Sequence, residues 1–366
     1  MKKSLILAVL SILLSLPACT AHADDWPTFR GNSARTGSAG APAARSRMEG
    51  TAAWQIGLSQ PIKSSPAVSG GMVYFGSDDG AMNAVSAYDG KVIWTFQTDN
   101  WLTSSPAVSG GTVVFGSYDS RVYALDAVTG KLKWQFTTHN NVASSPAIAN
   151  GRVFFGGIDG NVYGVDLSTG WGKWTYKAGR EVYGSPAVAD GVVYIGNHDG
   201  KVMAIDAASG KLKWRAIVGG PVTACPAVNN GLLYFGSWDG KFYTADIKNQ
   251  AVIRSYDSGS SIECSPLVAS GKVYFGNTQG VMTALDAVTG NVVWRTDTGA
   301  RVASSPCSRD GAIIFGNDVG TIYSLDAATG GILWRLETAG PVETSPASGP
   351  DSIFVTAMDG SLKCIK

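Results

Sequence analysis

Few side chains in this 366-residue sequence are of the kinds that make or break bonds. It holds three histidines (His22, His139 and His198) and five cysteines (Cys19, Cys225, Cys264, Cys307 and Cys364). His198 stands beside Asp199, and Asp-Gly pairs recur at Asp79, Asp159, Asp199, Asp239 and Asp359. A transition-metal centre wants three or four donors in fixed geometry, which two loop imidazoles do not supply. No Ser-His-Asp or Cys-His arrangement can be argued from so few histidines. The acidic turns lack the dense alternating oxygen ligands of a calcium loop. Cys-x-x-Cys-His, which would attach a haem, is absent. Hydrolytic and metal chemistry are therefore poor expectations.

The N-terminal segment has the make-up of a cleavable leader. Lys2 and Lys3 precede an apolar run from Leu5 to Leu16, and Ala21-His22-Ala23 offers a small-residue cleavage site. This predicts a signal peptide over 1–23, hence a periplasmic or secreted protein. The rival reading takes Leu16-Pro17-Ala18-Cys19 as a lipoprotein signal, with Cys19 lipidated and the protein anchored to the outer membrane. The apolar run is short for a bilayer span, and no later segment qualifies as one. Removing 1–23 takes away two lysines and no acid, which leaves 27 bases against 28 acids. Without a basic stripe, dedicated nucleic-acid binding is not expected. At 45% hydrophobic and 10% aromatic residues, the chain has the makings of a packed core.

What positions the remaining residues is a repeat. Prolines fall every 40 residues from Pro66 to Pro346, and glycines at the same interval from Gly76 to Gly316. Tryptophans keep the step at Trp54, Trp94, Trp134, Trp174, Trp214, Trp294 and Trp334, with Arg254 in the one vacant slot. Eight copies without an insertion account for nearly all of 47–366, behind an extension at 24–46. Each copy reads as four short strands separated by Gly, Asn and Asp. In the second copy these are Leu102 to Val108, Thr112 to Phe115, Arg121 to Asp126 and Lys131 to Phe136, and the Asp-Gly pairs suggest type I′ turns. The prediction is an all-β, eight-bladed β-propeller with four antiparallel strands per blade. The eighth copy ends after its third strand, and Gly50-Thr51-Ala52-Ala53-Trp54 aligns with the fourth strand of the others. An N-terminal strand should therefore close the ring.

The copies Ala124-Leu125-Asp126-Ala127-Val128-Thr129-Gly130-Lys131-Leu132-Lys133-Trp134 and Ala284 to Trp294 resemble the quinoprotein-like β-propeller family, whose tryptophan-docking repeat reads Ala-x-Asp-x-x-Thr-Gly-x-x-x-Trp. The resemblance covers all eight copies and departs at Ser86, Lys366 and Arg254. It implies a structural role for the tryptophans and for Asp126, Asp166, Asp206, Asp286 and Asp326, each indole packing on the next blade. It also implies one of two activities. Some members are dehydrogenases that hold pyrroloquinoline quinone and calcium in the central channel. Others, such as the lipoprotein propeller of the outer-membrane β-barrel assembly machine, bind proteins. Dehydrogenase members stack the quinone on a vicinal disulfide and carry long insertions around the channel; this chain has neither adjacent cysteines nor insertions. Asp25-Trp26-Pro27-Thr28-Phe29-Arg30-Gly31-Asn32 is similar to the leaders of many such secreted propellers.

Positions that vary between copies are free for function. Lys63, Trp101, Arg180, Glu181, Tyr183, Glu263, Arg301 and Glu343 fall in variable columns at the channel mouth, where the fourth-to-first connections emerge. Between those columns, the positions from Ile62 to Val342 stay Ile, Leu or Val and are expected in the core. The mixed charges suit a protein surface. The expectation is a non-catalytic scaffold without a cofactor, binding a protein partner in the cell envelope; the alternative is a quinoprotein oxidoreductase or its accessory subunit. Cys225 and Cys264 lie on neighbouring inner strands and are read as small buried thiols, although an exported compartment would permit a disulfide.

Overall fold

The computed structural model describes residues 25–38 and 48–366; residues 1–24, with the expected signal peptide and Cys19, and residues 39–47 lie outside the described residues. Thirty-two strands, numbered β1 to β32 in chain order, form eight separate four-stranded antiparallel sheets, and no helix occurs among the described residues. The first blade runs β2 (Ala67–Ser69), β3 (Met72–Gly76), β4 (Ala81–Ser86) and β5 (Val92–Gln97), from the axis outward. The middle strands are buried on both faces, because each sheet is packed between two neighbours. The outer strands alternate between exposed and half-buried residues.

The ring closes through its termini. The last blade consists of β30 (Ala347–Ser348), β31 (Ile353–Thr356) and β32 (Ser361–Ile365), completed by β1 (Ala52–Gly57). The pairing β1–β32 sets Trp54 opposite Cys364 and Ile56 opposite Leu362. Beyond it, Lys366 N–H donates to Thr51 O, and Gly50 N–H donates to Lys366 O at 2.9 Å.

The glycine column has a steric cause. A Cβ on Gly116 would lie 2.5 Å from Val142 Cγ1 of the next blade, and one on Gly236 would lie 2.2 Å from Ile262 Cγ2. The aliphatic column is buried throughout, and its members from Leu102 to Val342 lie against these glycines. Adjacent blades thus touch backbone to side chain, which is how a sheet this narrow can pack at interior density.

Two local expectations need correction. The inner strands are only two or three residues long, and the second copy's first strand is Ala107–Ser109 rather than 102–108. Pro106 has no N–H for a ladder, and the stretch before it faces the neighbouring blade instead. The Asp-Gly pairs do not form type I′ turns. Gly80, Gly160, Gly200, Gly240 and Gly360 have positive φ, but the aspartates before them do not. With Gly80 N–H on Ser77 O and Ser77 N–H on Ala81 O, these are three-residue loops ending in one left-handed residue. The two-residue turns with both positions left-handed are the innermost ones, such as Gly110-Gly111 and Asn150-Gly151.

Candidate functional site

The fourth-to-first connections and second-to-third turns share one face of the ring, and the variable residues there sort into two arcs. The charged arc covers blades six to eight and blade one. Arg301 bonds Glu263 Oε2 at 2.5 Å, Asp318 Oδ2 at 2.9 Å and Glu343 Oε1 at 3.1 Å, while Lys63 meets Asp78 at 2.6 Å. The aromatic arc covers blades two to five. Trp101 packs on Tyr118 with ring centroids 6.2 Å apart, and His198 is held between Tyr183 at 5.7 Å and Trp238 at 5.3 Å. Trp101, Tyr183 and Trp238 remain 53%, 38% and 40% exposed. Lys63 joins the arcs, its Nζ 5.4 Å from the Trp101 ring centroid.

The structure thus brings Glu263, Arg301 and Glu343 together, and Lys63 with Trp101. Arg180 and Glu181 are 3.8 Å apart beside the aromatic arc; Arg180 is exposed, whereas Glu181 is half-buried with its Oε2 lacking a hydrogen-bond donor among the described residues. Sequence reasoning missed Tyr118, Trp238, Asp78 and Asp318, because they sit in second-to-third turns, away from the columns compared. The signal was present: Tyr118, His198, Trp238 and Asp318 occupy one column of the 40-residue register. His139 and His198 do not meet; the His139 N–H donates to Asp159.

Behind this face the channel narrows to a hydroxyl ring. At seven of eight positions, from Ser65 to Ser345, a serine Oγ accepts the backbone N–H of its counterpart in the preceding blade at 2.8–3.2 Å. Cys225 takes the eighth position, and its thiol turns to Pro226 O. All four described cysteines are buried and free. Burial pushes the Cys225 and Cys264 thiols up to about 11.

Below the ring the chain's own N-terminal segment fills the axis. Residues 26–37 run along the inner strands, with bonds between Trp26 and Val68, from Val108 N–H to Pro27 O, and from Val188, Val228, Val268 and Ser308 to Ser33, Ala34, Thr36 and Gly37. Trp26 is buried in the core of the first and last blades. Arg30 donates to the carbonyls of Pro266 and Pro306, and Arg35 to those of Phe29, Ser145, Pro146 and Pro186 and to the Thr28 hydroxyl. The two guanidiniums are 1% and 0% exposed. Burial lowers both to about 10, so they are charged at neutral pH.

The tryptophans of the 40-residue series lie away from the channel. Trp94 Nε1 donates to Ala127 O of the next blade at 3.0 Å, and Trp134, Trp174 and Trp294 make the equivalent bonds to Leu167, Ala207 and Ala327. Trp54 packs on Phe354, and its Nε1 has no acceptor among the described residues. Gly210 lies over Trp174 and Gly50 over Trp334, where a Cβ would come within 2.6 Å and 2.5 Å. Trp214 instead faces the copy in which Gln250 replaces the glycine, at a φ of 56°. Asp126, Asp166, Asp206, Asp286 and Asp326 close the turns between, each accepting the N–H three residues on.

Solved structures share this architecture at low identity. BamB from Moraxella catarrhalis is 21% identical, with a TM-score of 0.76 over 86% of this chain and 98% of its own. The computationally designed Ika8 protein is 20% identical, with a TM-score of 0.76 over 84% and 97%. Quinohemoprotein alcohol dehydrogenase from Comamonas testosteroni is 15% identical, with a TM-score of 0.81 over 93% and 80%. Comparison with curated proteins finds no match. The family model described as outer membrane protein assembly factor BamB matches residues 41–256, 173–291 and 278–365, and the chain belongs to that family.

Proposed function

We propose that this protein is an exported, non-catalytic scaffold that presents its fourth-to-first face to a protein partner in the cell envelope, in the assembly of outer-membrane proteins. One observation carries the reading: exposed Trp101, Tyr183 and Trp238 form a single aromatic arc beside a charged arc on the same face. Interface centres are enriched in aromatic and arginine residues, and a rigid ring with variable loops is a common way to hold such a surface. The leader at 1–23 supports export, and the family supports the setting.

The residues do not fit the alternative, a pyrroloquinoline quinone enzyme with calcium. Among the described residues no group of three or more His, Cys, Asp or Glu is placed to hold a metal. Calcium wants six to eight oxygens, and the acids nearest the axis are already gathered on Arg301. Below the hydroxyl ring the axis is taken by Arg30 and Arg35.

The test is site-specific photo-crosslinking in the native envelope. A photoreactive residue at 101 or 238 is expected to form an adduct with the outer-membrane assembly machinery, and one at 171, on an exposed turn of the opposite face, is not. In a deletion strain, the Trp101→Ala, Trp238→Ala double variant should fail to restore outer-membrane protein levels while Trp171→Ala succeeds. Adducts at 171 alone, or full rescue by the double variant, would reject this face as the docking surface.

A further inference from the structure

The axial cavity between the hydroxyl ring and the loop face has a volume of about 190 Å³, with Phe29 among its lining residues. Three of its features are unexplained by the fold. The seven ring serines are 3–7% exposed, and each Oγ accepts an N–H. Among the described residues, however, none donates its hydroxyl proton to a protein acceptor. Thr103 Oγ1, in the same wall, is buried without any partner. Buried polar groups are ordinarily satisfied, so these donors point to something that enters the cavity.

The second feature is charge below. Arg30 and Arg35 bond carbonyls and one hydroxyl, and no carboxylate pairs with either among the described residues. Neither guanidinium lines the cavity; Arg35 lies against the lining Phe29 ring, 5.6 Å from its centroid. Two buried cations behind that end, without counter-charge among the described residues, make it attractive to an anion. The third feature is the opposite charge above. Glu263 and Glu343 line the mouth, and with Asp318 they share the single cation of Arg301, while Lys63 is matched by Asp78. The mouth therefore carries an excess of negative charge.

A simple anion would be repelled at the mouth and a simple cation at the floor. We propose that the cavity binds a small zwitterion, its anionic end on the serine hydroxyls above Arg30 and Arg35 and its cationic end beside Glu263 and Glu343. The ring and the mouth are two residues apart on the inner segments, about 7 Å at the rise of an extended chain. That spacing selects an ω-amino acid or a dipeptide over an α-amino acid.

Titration calorimetry on the mature protein tests this with 4-aminobutyrate, 5-aminopentanoate and glycylglycine against glycine, butyrate, butylamine and phosphate. At least one long zwitterion is expected to bind ten-fold or more tighter than every control. Glu343→Gln and Thr103→Val should each weaken it five-fold or more without lowering the melting temperature, and Trp171→Ala should not. Absence of heat with every probe would mean that only water occupies the cavity and would overturn the proposal. Equal binding of butyrate or phosphate would overturn it in favour of an anion site, as would indifference to Glu343→Gln. None of these outcomes touches the loop-face assignment, which the crosslinks test separately.

Discussion

Cys225 shows how one residue can interrupt a repeat without breaking the fold. At its seven counterparts a serine accepts the N–H of the preceding blade, but among the described residues Ser185 N–H makes no such bond to residue 225. A hydroxyl there would complete the circle at about the same volume. A net hydrogen bond contributes about 1 kcal/mol, so Cys225→Ser should raise the calorimetric melting temperature by about 2–4 °C. An unchanged or lowered value would mean that the ring is not a stabilising element. The other thiols make a parallel point. Burial holds Cys307 protonated, pushed up to about 12, like Cys225 and Cys264. The thiolate is the nucleophile, so in the native protein iodoacetamide at pH 7.5 should leave these thiols unlabelled by mass, and guanidinium should expose them. Labelling without denaturant would contradict this packing.

At the scale of elements, strand order and blade number were legible because a 40-residue period averages over local ambiguity: Pro106, Gly116 and Trp134 each fix one level of the blade. Turn type was less so. Asp-Gly suits both a turn with two left-handed residues and a loop that ends in one, and only the backbone shows that Asp79 is right-handed while Gly80 is not. The N-terminal plug was not legible as one. The stretch from Asp25 to Asn32 resembled only the leaders of other propellers, while Arg30 and Arg35 bond backbone carbonyls up to 276 residues away, and a carbonyl leaves no mark in a sequence pattern. Charged hydrogen bonds are individually stronger than neutral ones. Replacing Arg35 with Met removes the charge but leaves several buried carbonyls without a donor. The Arg35→Met variant should lose about 2 kcal/mol and expose residues 25–38 to trypsin or proteinase K well before the ring unfolds. Unchanged digestion kinetics would show that the backbone bonds of 26–37 hold the segment by themselves.

At the scale of the whole molecule the closure of the ring makes the position of the chain ends nearly arbitrary. In the second blade, Asp126 N–H donates to Lys131 O and Gly130 N–H to Asp126 O; at the seam, Lys366 N–H donates to Thr51 O and Gly50 N–H to Lys366 O. The two patterns superpose in the 40-residue register, with Lys366 in the place of Asp126. By sequence register residues 47–49 correspond to Ala127-Val128-Thr129, so a peptide bond from Lys366 to Arg47 gives a third-to-fourth connection of the same length without any linker. A permutant joined there and opened at the exposed turn Tyr88-Asp89 should fold as a monomer. Its melting temperature should fall within a few degrees of a protein that merely begins at residue 47, which is the proper comparator because both lack the plug. The strand β1 would then be covalently continuous with β32, while blade one would have to hold its own fourth strand by pairing alone, as blade eight does now. If the permutant aggregated while the comparator stayed soluble, the seam would depend on features peculiar to the eighth blade, such as its two-residue inner strand β30, and not on strand pairing as such.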